Sequence, residues 1–224
     1  MLFVGELETA TYTAASDQAL LVTLGAEISL PVHRRVVGLL RALEAARIRG
    51  VVNLHPAYCS ILIRFESLVT SHESLEAEVR ELLQSLAAEE APAPRVVELP
   101  VRYGGEFGPD LNEVAELCGL TPKDVVELHA STIYTVYFLG FVPGFGYMGR
   151  LPDSLKVPRL EKPRKSVPAG SVAVANDHTA VYPSSTPGGW RLIGRTEVKL
   201  FDPGRENLSV LNTGDQVRFC PVHF

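Results

Sequence analysis

The chain has 224 residues, a hydrophobic content of 46% and a formal net charge of −5, which together indicate a globular protein of one large domain or two small ones. No stretch approaches 18 consecutive apolar residues, and the N-terminus has glutamates and no basic segment, so we expect neither a membrane span nor a signal peptide. The three cysteines lie far apart, which predicts no disulfide framework and favours buried side chains in a cytoplasmic protein.

The negative charge lies in the first part of the chain. Residues 1–90 account for the whole net charge of −5, whereas residues 91–224 are neutral overall. A general nucleic-acid-binding protein would show a basic face, so this distribution excludes that class. The segment from Arg150 to Lys165 is locally basic, with six basic and two acidic residues. It could attract an anion or an acidic partner, or it could be a solvated face.

Residues 1–90 alternate between strand and helix patterns. The runs ALLVTLG, VVNLHPAY and CSILIRF predict strands. One helix should begin at Pro31 and end near Gly50, and a second should follow a capping box formed by Thr70 and Glu73. We therefore expect a small α+β domain with helices on one face of a sheet, followed by a linker in AAEEAPAPR.

Residues 91–224 have a different pattern. After the strand RVVELPVRY, Asp110 should cap the helix LNEVAELC, Gly119 should end it, and Thr121 with Pro122 should start a second short helix. Short β-runs separated by glycine and proline follow, which predicts a closed or nearly closed β-barrel. These runs are TVYFLGFV, SVAVAN, TAVYP, WRLIG, EVKLF and QVRFC.

Two motifs imitate well-known sites but lack the required context. Gly144, Gly146 and Gly149 spell the dinucleotide fingerprint G-x-G-x-x-G, but the proline-rich LPDSLKVPRLEKPRK that follows cannot form the helix that a Rossmann site needs. The segment LNEVAELCGLTPKDVVELH imitates a helix-turn-helix, yet its second helix is acidic where DNA phosphates would repel it. The sequence thus predicts neither a dinucleotide site nor DNA binding.

The sequence also supports neither a metal site nor a serine nucleophile. The six histidines form no H-x-H or H-E-x-x-H pair, so we expect no metal site. Ser171 lies in PAGSVAVA and not in a G-x-S-x-G elbow. What remains is a group of loops between His129 and Thr196 that are rich in glycine, proline and aromatic residues. Such loops are either ordinary turns or the wall of a small-molecule site.

These loops carry a family resemblance. LHASTIYTVYFLGFVPGFGYMGRLP, the PR…KPRKSVPAGSV segment and YPSSTPGGWRLIGRT closely resemble the B subunit of bacterial ATP-dependent 5-oxoprolinase. That family is also known as allophanate hydrolase subunit 1, belongs to the carboxyltransferase subdomain C and D group, and includes the sporulation-kinase inhibitor KipI. SDQALLVTLGAEI and YGGEFGPDL match it too, so the resemblance covers essentially the whole chain.

The resemblance implies a fold, a reaction and partners. The fold is a two-domain α+β chain, with a small α+β domain over residues 1–90 and a cyclophilin-like β-barrel over residues 91–224. The reaction opens 5-oxo-L-proline to L-glutamate with hydrolysis of ATP. It implies a cytoplasmic heteromeric complex with the C and A subunits, in which this chain alone is weakly active or inactive. The complex binds ATP, but no nucleotide motif in this chain locates the ATP site.

The resemblance also suggests the site residues. Arg159, Arg164 and Lys165 are the side chains best suited to stabilise developing negative charge. The candidate catalytic residues are His129, Arg159, Arg164, His178 and Arg195. The candidate substrate-binding residues are Phe141, Pro143, Phe145, Tyr147, Ser171, Tyr182, Thr186 and Trp190.

One departure from the family pattern affects the expected substrate. The family usually reads Gly-Gly-Gln-Thr-Gly-Ile-Tyr-Pro where this chain has NDHTAVYP, so His178 replaces a glutamine. With the site empty, the basic cluster of Arg159, Arg164 and Lys165 should hold His178 mostly neutral near pH 7, whereas a bound anion would favour its protonated form. An allophanate-type amide hydrolase and a KipI-like inhibitory module remain alternatives, whereas a prolyl isomerase, suggested by the barrel type, lacks isomerase motifs.

Overall fold

The computed structural model describes residues 10–86 and 93–222. The chain divides into two compact units, residues 1–93 and 94–224. Residues 87–92, which hold most of the predicted linker, lie outside the described residues.

The N-terminal unit is a four-stranded antiparallel sheet with two helices. Its strands are β1 Thr11–Ser16, β2 Ala19–Thr23, β3 Val51–Pro56 and β4 Ser60–Phe65, in the order β1-β2-β4-β3. Its helices are α1 Leu30–Ala46 and α2 His72–Leu86. Alternate residues of β2 and β4 are buried against the apolar faces of both helices. The sequence did not predict β1, because this mostly exposed strand has no apolar alternation.

The ends of both helices differ from the prediction. Helix α1 ends at Ala46, where the N–H of Arg47 in the left-handed region (φ 46°) bonds to Leu43, so Gly50 is not its cap. The expected capping box of Thr70 and Glu73 is also wrong, since Ser71 Oγ accepts from the Ser74 N–H at 3.2 Å. Helix boundaries depend on local hydrogen bonds that several neighbouring residues can satisfy, which explains both differences.

The second unit is built on a closed seven-stranded barrel. The barrel order is β10-β7-β6-β13-β5-β12-β9, and β13 pairs parallel with β5 whereas the other pairs are antiparallel. Two further strands, β8 and β11, form a separate two-stranded sheet. The strands are β5 Val96–Tyr103, β6 Ile133–Leu139, β7 Gly146–Gly149, β8 Arg164–Val167, β9 Ser171–Ala175, β10 His178–Val181, β11 Thr186–Gly188, β12 Arg191–Arg195 and β13 Gln216–Pro221.

Two helices, α3 Leu111–Cys118 and α4 Pro122–Ser131, lie between β5 and β6. Gly119 ends α3 in the left-handed region as predicted, and Thr121 begins α4 with a complete capping box to Asp124. Asp110 occupies the N-cap position of α3 as predicted, but its side chain makes no capping hydrogen bond.

The barrel confirms the predicted α+β fold class, with differences in detail. Strands β7, β8 and β11 were not predicted, because they lie in glycine- and proline-rich segments without a strand pattern. EVKLF, predicted as a strand, contains only one isolated bridge, between Phe201 and Ser209. The three cysteines are free thiols and only half-buried, not buried as expected. No helix in the described ranges is long and apolar enough to cross a bilayer.

Candidate functional site

Aromatic rings from the barrel strands and their connections pack together at one place in the second unit. Phe145 lies at the centre, with ring centroids 5.0 Å from Tyr147, 5.3 Å from Tyr182 and 5.7 Å from Trp190. Phe138 of β6 stacks on Tyr147 at 4.6 Å. We call these five residues the aromatic wall. Phe145 is only 2% exposed, so it supports the wall from inside and does not line a groove as the sequence suggested.

The turn before β7 presents a further ring to solvent. Phe141 is 60% exposed, adopts a left-handed φ of 68°, and meets Phe145 edge-on at 5.5 Å. The Gly140 N–H donates to the Phe145 carbonyl, which closes the turn. Pro143 in the same turn is also exposed. The segment predicted as one loop is therefore a tight turn followed by strand β7.

Two arginines, Arg159 and Arg164, act electrostatically on the Tyr182 hydroxyl of the aromatic wall. The exposed Arg159 places its guanidinium 5.9 Å from the Trp190 ring centroid. Burial raises the pKa of Tyr182, while a backbone hydrogen bond at Trp190 and the charges of Arg159 and Arg164 act in the opposite direction. The Tyr182 hydroxyl is therefore within electrostatic range of both arginines.

Arg164 lies on β8 and is paired with a carboxylate, which the sequence did not indicate. Its Nη2 donates to Asp110 Oδ1 at 2.6 Å, and Asp110 Oδ2 accepts from the Leu192 N–H at 2.6 Å. Asp110 is almost fully buried, so this pair neutralises a carboxylate inside the protein. Arg164 Nη1 is buried with no hydrogen-bond partner in the described part of the chain, which leaves one donor uncommitted. Lys165, next to it, is exposed.

His129 lies in the barrel interior and is fully buried. Thr179 Oγ1 donates to the Ala173 carbonyl, so it accepts from His129 Nε2 at 2.9 Å, and His129 Nδ1 then accepts from the Tyr103 hydroxyl at 2.7 Å. Burial lowers the pKa of His129 to about 3, so its ring is neutral. Because both ring nitrogens are occupied and the ring is inaccessible, His129 cannot contact a substrate in this conformation.

His178 begins β10, at the opposite end of that strand from Tyr182, about 13 Å away by strand geometry. Its Nδ1 lies 2.6 Å from Asp177 Oδ1, and Arg150 Nε lies 3.6 Å from the other Asp177 oxygen. Burial is the main reason why the pKa of His178 is lowered; Asp177 opposes this, and Arg150 and Arg159 add to it. Of the three basic residues that the sequence suggested, Arg159 acts on the pKa of His178 in the predicted direction, but burial is the larger cause.

The remaining predicted residues lie near the Tyr182 end of the barrel. Ser171 and Arg195 face each other across β9 and β12, and the Ser171 carbonyl accepts from the Tyr182 N–H at 2.9 Å. Arg195 places its guanidinium 5.8 Å from the Phe107 ring centroid. Thr186 lies on β11 opposite Val167. Ser171 Oγ, Thr186 Oγ1 and Arg195 Nε are buried and accept or donate no hydrogen bond among the described residues.

The G-x-G-x-x-G segment does not form a phosphate cradle. Its last four residues are strand β7, and a short 3-10 helix, Asp153–Leu155, follows in place of the long helix that a dinucleotide site needs. A Cβ on Gly144 would lie 2.7 Å from Phe201 Cβ, and one on Gly149 would lie 2.9 Å from the Tyr137 ring. Close packing therefore explains these glycines. Within residues 10–86 and 93–222, no group of three His, Cys, Asp or Glu residues could hold a metal ion.

Sequence reasoning did not single out Glu113, Arg191 and Asp177, and it considered Asp110 only as a helix cap. Arg191 is 7% exposed, its Nη1 lies 2.5 Å from Glu113 Oε2, and its Nε donates to the Pro158 carbonyl. An arginine in the otherwise apolar run WRLIG was the available signal, because a buried charge needs a partner. Nothing in the sequence identified Glu113 as that partner.

Known proteins share this architecture. The family model described as "Carboxyltransferase domain, subdomain C and D" matches residues 10–211. The chain is 43% identical to the 5-oxoprolinase B subunit of Escherichia coli O157:H7, over 92% of this chain and 93% of that protein. It is 38% identical to the 5-oxoprolinase B subunit of Bacillus subtilis (strain 168), over 92% and 90%.

The crystal structure of TTHA0988 superposes with a TM-score of 0.82 at 38% identity and covers 92% of this chain. This chain spans 40% of the length of that protein. Sequence identity, coverage and architecture agree, and the chain therefore belongs to the family of 5-oxoprolinase B subunits, within the carboxyltransferase subdomain C and D group.

Proposed function

We propose that the protein is the B subunit of a heteromeric ATP-dependent 5-oxoprolinase and helps to open 5-oxo-L-proline to L-glutamate. One observation carries this proposal: a chain 43% identical to a 5-oxoprolinase B subunit sets an arginine without a carboxylate partner among the described residues, Arg159, against an aromatic wall. Such a wall fits a small ring with an anionic group, which is the chemistry of 5-oxoproline.

Each part of the site has a defined task in this proposal. The half-buried rings of Phe138 and Tyr147 and the edge of Trp190 contact the lactam ring. Arg159 binds the substrate carboxylate. The uncommitted Arg164 Nη1 supplies a donor for negative charge that develops on the lactam oxygen, because preset donors stabilise such charge without reorganising.

We assign ATP binding and the completion of the site to the C and A subunits. ATP would activate the lactam by phosphorylation, but the G-x-G-x-x-G segment of this chain is a close-packed turn and strand and is not a loop suited to its phosphates. This chain binds and orients the substrate and is inactive or weakly active alone. Its three free thiols fit the reducing cytoplasm, where we expect the complex to work.

Reconstitution tests the proposal. The chain is purified alone and together with the C and A subunits, and 5-oxoproline-dependent release of ADP is measured in each case. We expect turnover with all three subunits and little or none with this chain alone. Turnover that depends on allophanate instead would support the amide-hydrolase alternative, and inhibition of a histidine kinase without any amide turnover would support the KipI-like alternative.

A further inference from the structure

The segment that carries Arg159 is fixed on both sides of that residue. Before it, the Pro158 carbonyl accepts from Arg191 Nε at 3.0 Å. After it, the Leu160 N–H donates to the Gly189 carbonyl at 2.8 Å. Both contacts come from residues that flank Trp190, so the backbone around Arg159 is tied to the backbone around the ring on which it rests.

Arg191 can hold this segment because its own charge is matched. Its side chain is only 8% exposed, and its Nη1 lies 2.5 Å from Glu113 Oε2 on α3. A buried guanidinium without a carboxylate would be strongly unfavourable, and its planar set of donors needs acceptors in fixed places. Glu113 therefore compensates the charge of Arg191 as an ion pair, although Arg191 Nη1 makes no hydrogen bond of good geometry among the described residues, and Arg191 Nε in turn holds Pro158.

We propose that Glu113 and Arg191 are positioning residues that hold Arg159 over Trp190 and thereby set the affinity of the site for a carboxylate-bearing substrate. The part that concerns substrate rests on the proposed function. The physical basis is preorganisation: a long arginine side chain that is ordered before binding loses less conformational freedom when the carboxylate arrives. Neither residue needs to touch the substrate for this effect.

Trp190 is the sole tryptophan of the chain, so its fluorescence reports on this arrangement without any enzyme activity. Acrylamide quenching of the purified chain is compared among the wild type, Arg159→Ala, Glu113→Gln and the control Glu116→Gln, which changes an exposed glutamate one turn along the same helix. We expect Arg159→Ala and Glu113→Gln to increase quenching, and Glu116→Gln to match the wild type. Wild-type quenching in Glu113→Gln, beside increased quenching in Arg159→Ala, would overturn the proposal.

The reconstituted complex tests the effect on substrate. Arg159→Ala should raise KM for 5-oxoproline about 10-fold with kcat little changed, and Glu113→Gln should raise it about 5-fold. The double variant should be no worse than Arg159→Ala, because Glu113 acts through Arg159. Arg191→Lys, which keeps the charge but loses the Nε donor, should resemble Glu113→Gln.

A role in stability alone predicts a different outcome, in which Glu113→Gln lowers the melting temperature but leaves KM unchanged. That result, or additive effects in the double variant, would refute the proposal. A complex that has no 5-oxoproline-dependent turnover would refute the proposed function instead, and the fluorescence comparison would still decide whether Glu113 positions Arg159.

Discussion

The barrel interior around His129 and the edge of the aromatic wall around Arg159 and Arg164 both place polar groups among apolar ones. The two regions differ in how many of these polar groups have a hydrogen-bond partner. In the interior, Tyr103, His129 and Thr179 form a chain in which both nitrogens of the histidine are occupied. At the wall, Arg164 keeps one buried nitrogen without a partner among the described residues. A completed network fixes a core, whereas an incomplete one keeps donors for a ligand. This contrast is why we assign His129 to the core and Arg164 to the candidate site.

The largest effect is expected where the wall meets the core. Phe145→Ala should lower the free energy of unfolding by about 3–5 kcal/mol, because it leaves a cavity beneath three other rings. Phe141→Ala, four residues earlier and mostly exposed, is the matched control and should cost less than about 1 kcal/mol. Urea unfolding of both variants measures the difference. Equal losses would mean that burial does not distinguish the two rings.

The interior network should make the protein sensitive to acid. The pKa of His129 is about 3 in the folded protein and about 6.5 when unfolded, so the unfolded state binds more protons between these values. The contribution of His129 to the free energy of unfolding is then fully present above pH 6.5. It is lost as the pH falls, by about 3 kcal/mol at pH 4. Urea unfolding at pH 7 and pH 4 measures this loss.

A variant without the imidazole isolates the contribution of this residue. His129→Gln lowers stability at pH 7 by about 1–3 kcal/mol, because it disturbs the hydrogen bonds to Tyr103 and Thr179. Its further loss between pH 7 and pH 4 should be smaller than that of the wild type. Parallel stability curves for the two proteins would show that His129 is not the acid-sensitive group.

A substitution in the Asp110–Arg164 pair tests whether the pair only stabilises the fold or also contributes to turnover. Asp110→Asn should destabilise the protein by about 1–3 kcal/mol, a value reduced because Arg164 is partly exposed. It should also lower turnover of the reconstituted complex, since it releases the guanidinium that carries the uncommitted donor. Thermal unfolding and steady-state kinetics measure both effects. Glu116→Gln is the control, and full turnover in a destabilised Asp110→Asn variant would make the pair purely structural.

The smallest effect on stability is expected at His178. His178→Gln restores the residue that is usual in the family and should preserve the fold. Because burial lowers the pKa of His178, its ring is neutral at pH 7 and gains a proton only in more acidic solution. We expect the turnover of the wild-type complex to fall more steeply below pH 6 than that of the variant. Superimposable pH–rate profiles would remove His178 from the site.

The local signals in the sequence predicted much of the fold. Apolar periodicity located both helices of the N-terminal unit and strands β2, β3 and β4, and Thr121 with Pro122 located the start of α4. Strands β7, β8 and β11 escaped prediction, because glycine and proline segments become strands only when a neighbouring strand supplies hydrogen bonds. Periodicity within one segment carries no information about that neighbour.

Some features of the candidate site could likewise be predicted from the sequence, and others could not. Residue type and family resemblance pointed to the aromatic rings and to Arg159, since these side chains are distinctive in the glycine- and proline-rich segments that carry them. The partner of each charged residue depended on contacts between distant positions: Asp110 with Arg164, and Glu113 with Arg191. The resemblance therefore gave no indication that Arg164 is paired with a carboxylate or that His129 is fully buried.

The sequence by itself determined the class of the fold and the family, because periodicity, turn residues and long motifs are properties of consecutive residues. Only the tertiary structure decided which rings are buried, which carboxylate neutralises which arginine, and which donors are left over. Those outcomes depend on burial and on pairs of residues separated by about 50 to 80 positions, such as Asp110 with Arg164 and Glu113 with Arg191. The free-energy cost of an unpaired buried charge is incurred or avoided only when the barrel closes and brings those residues together.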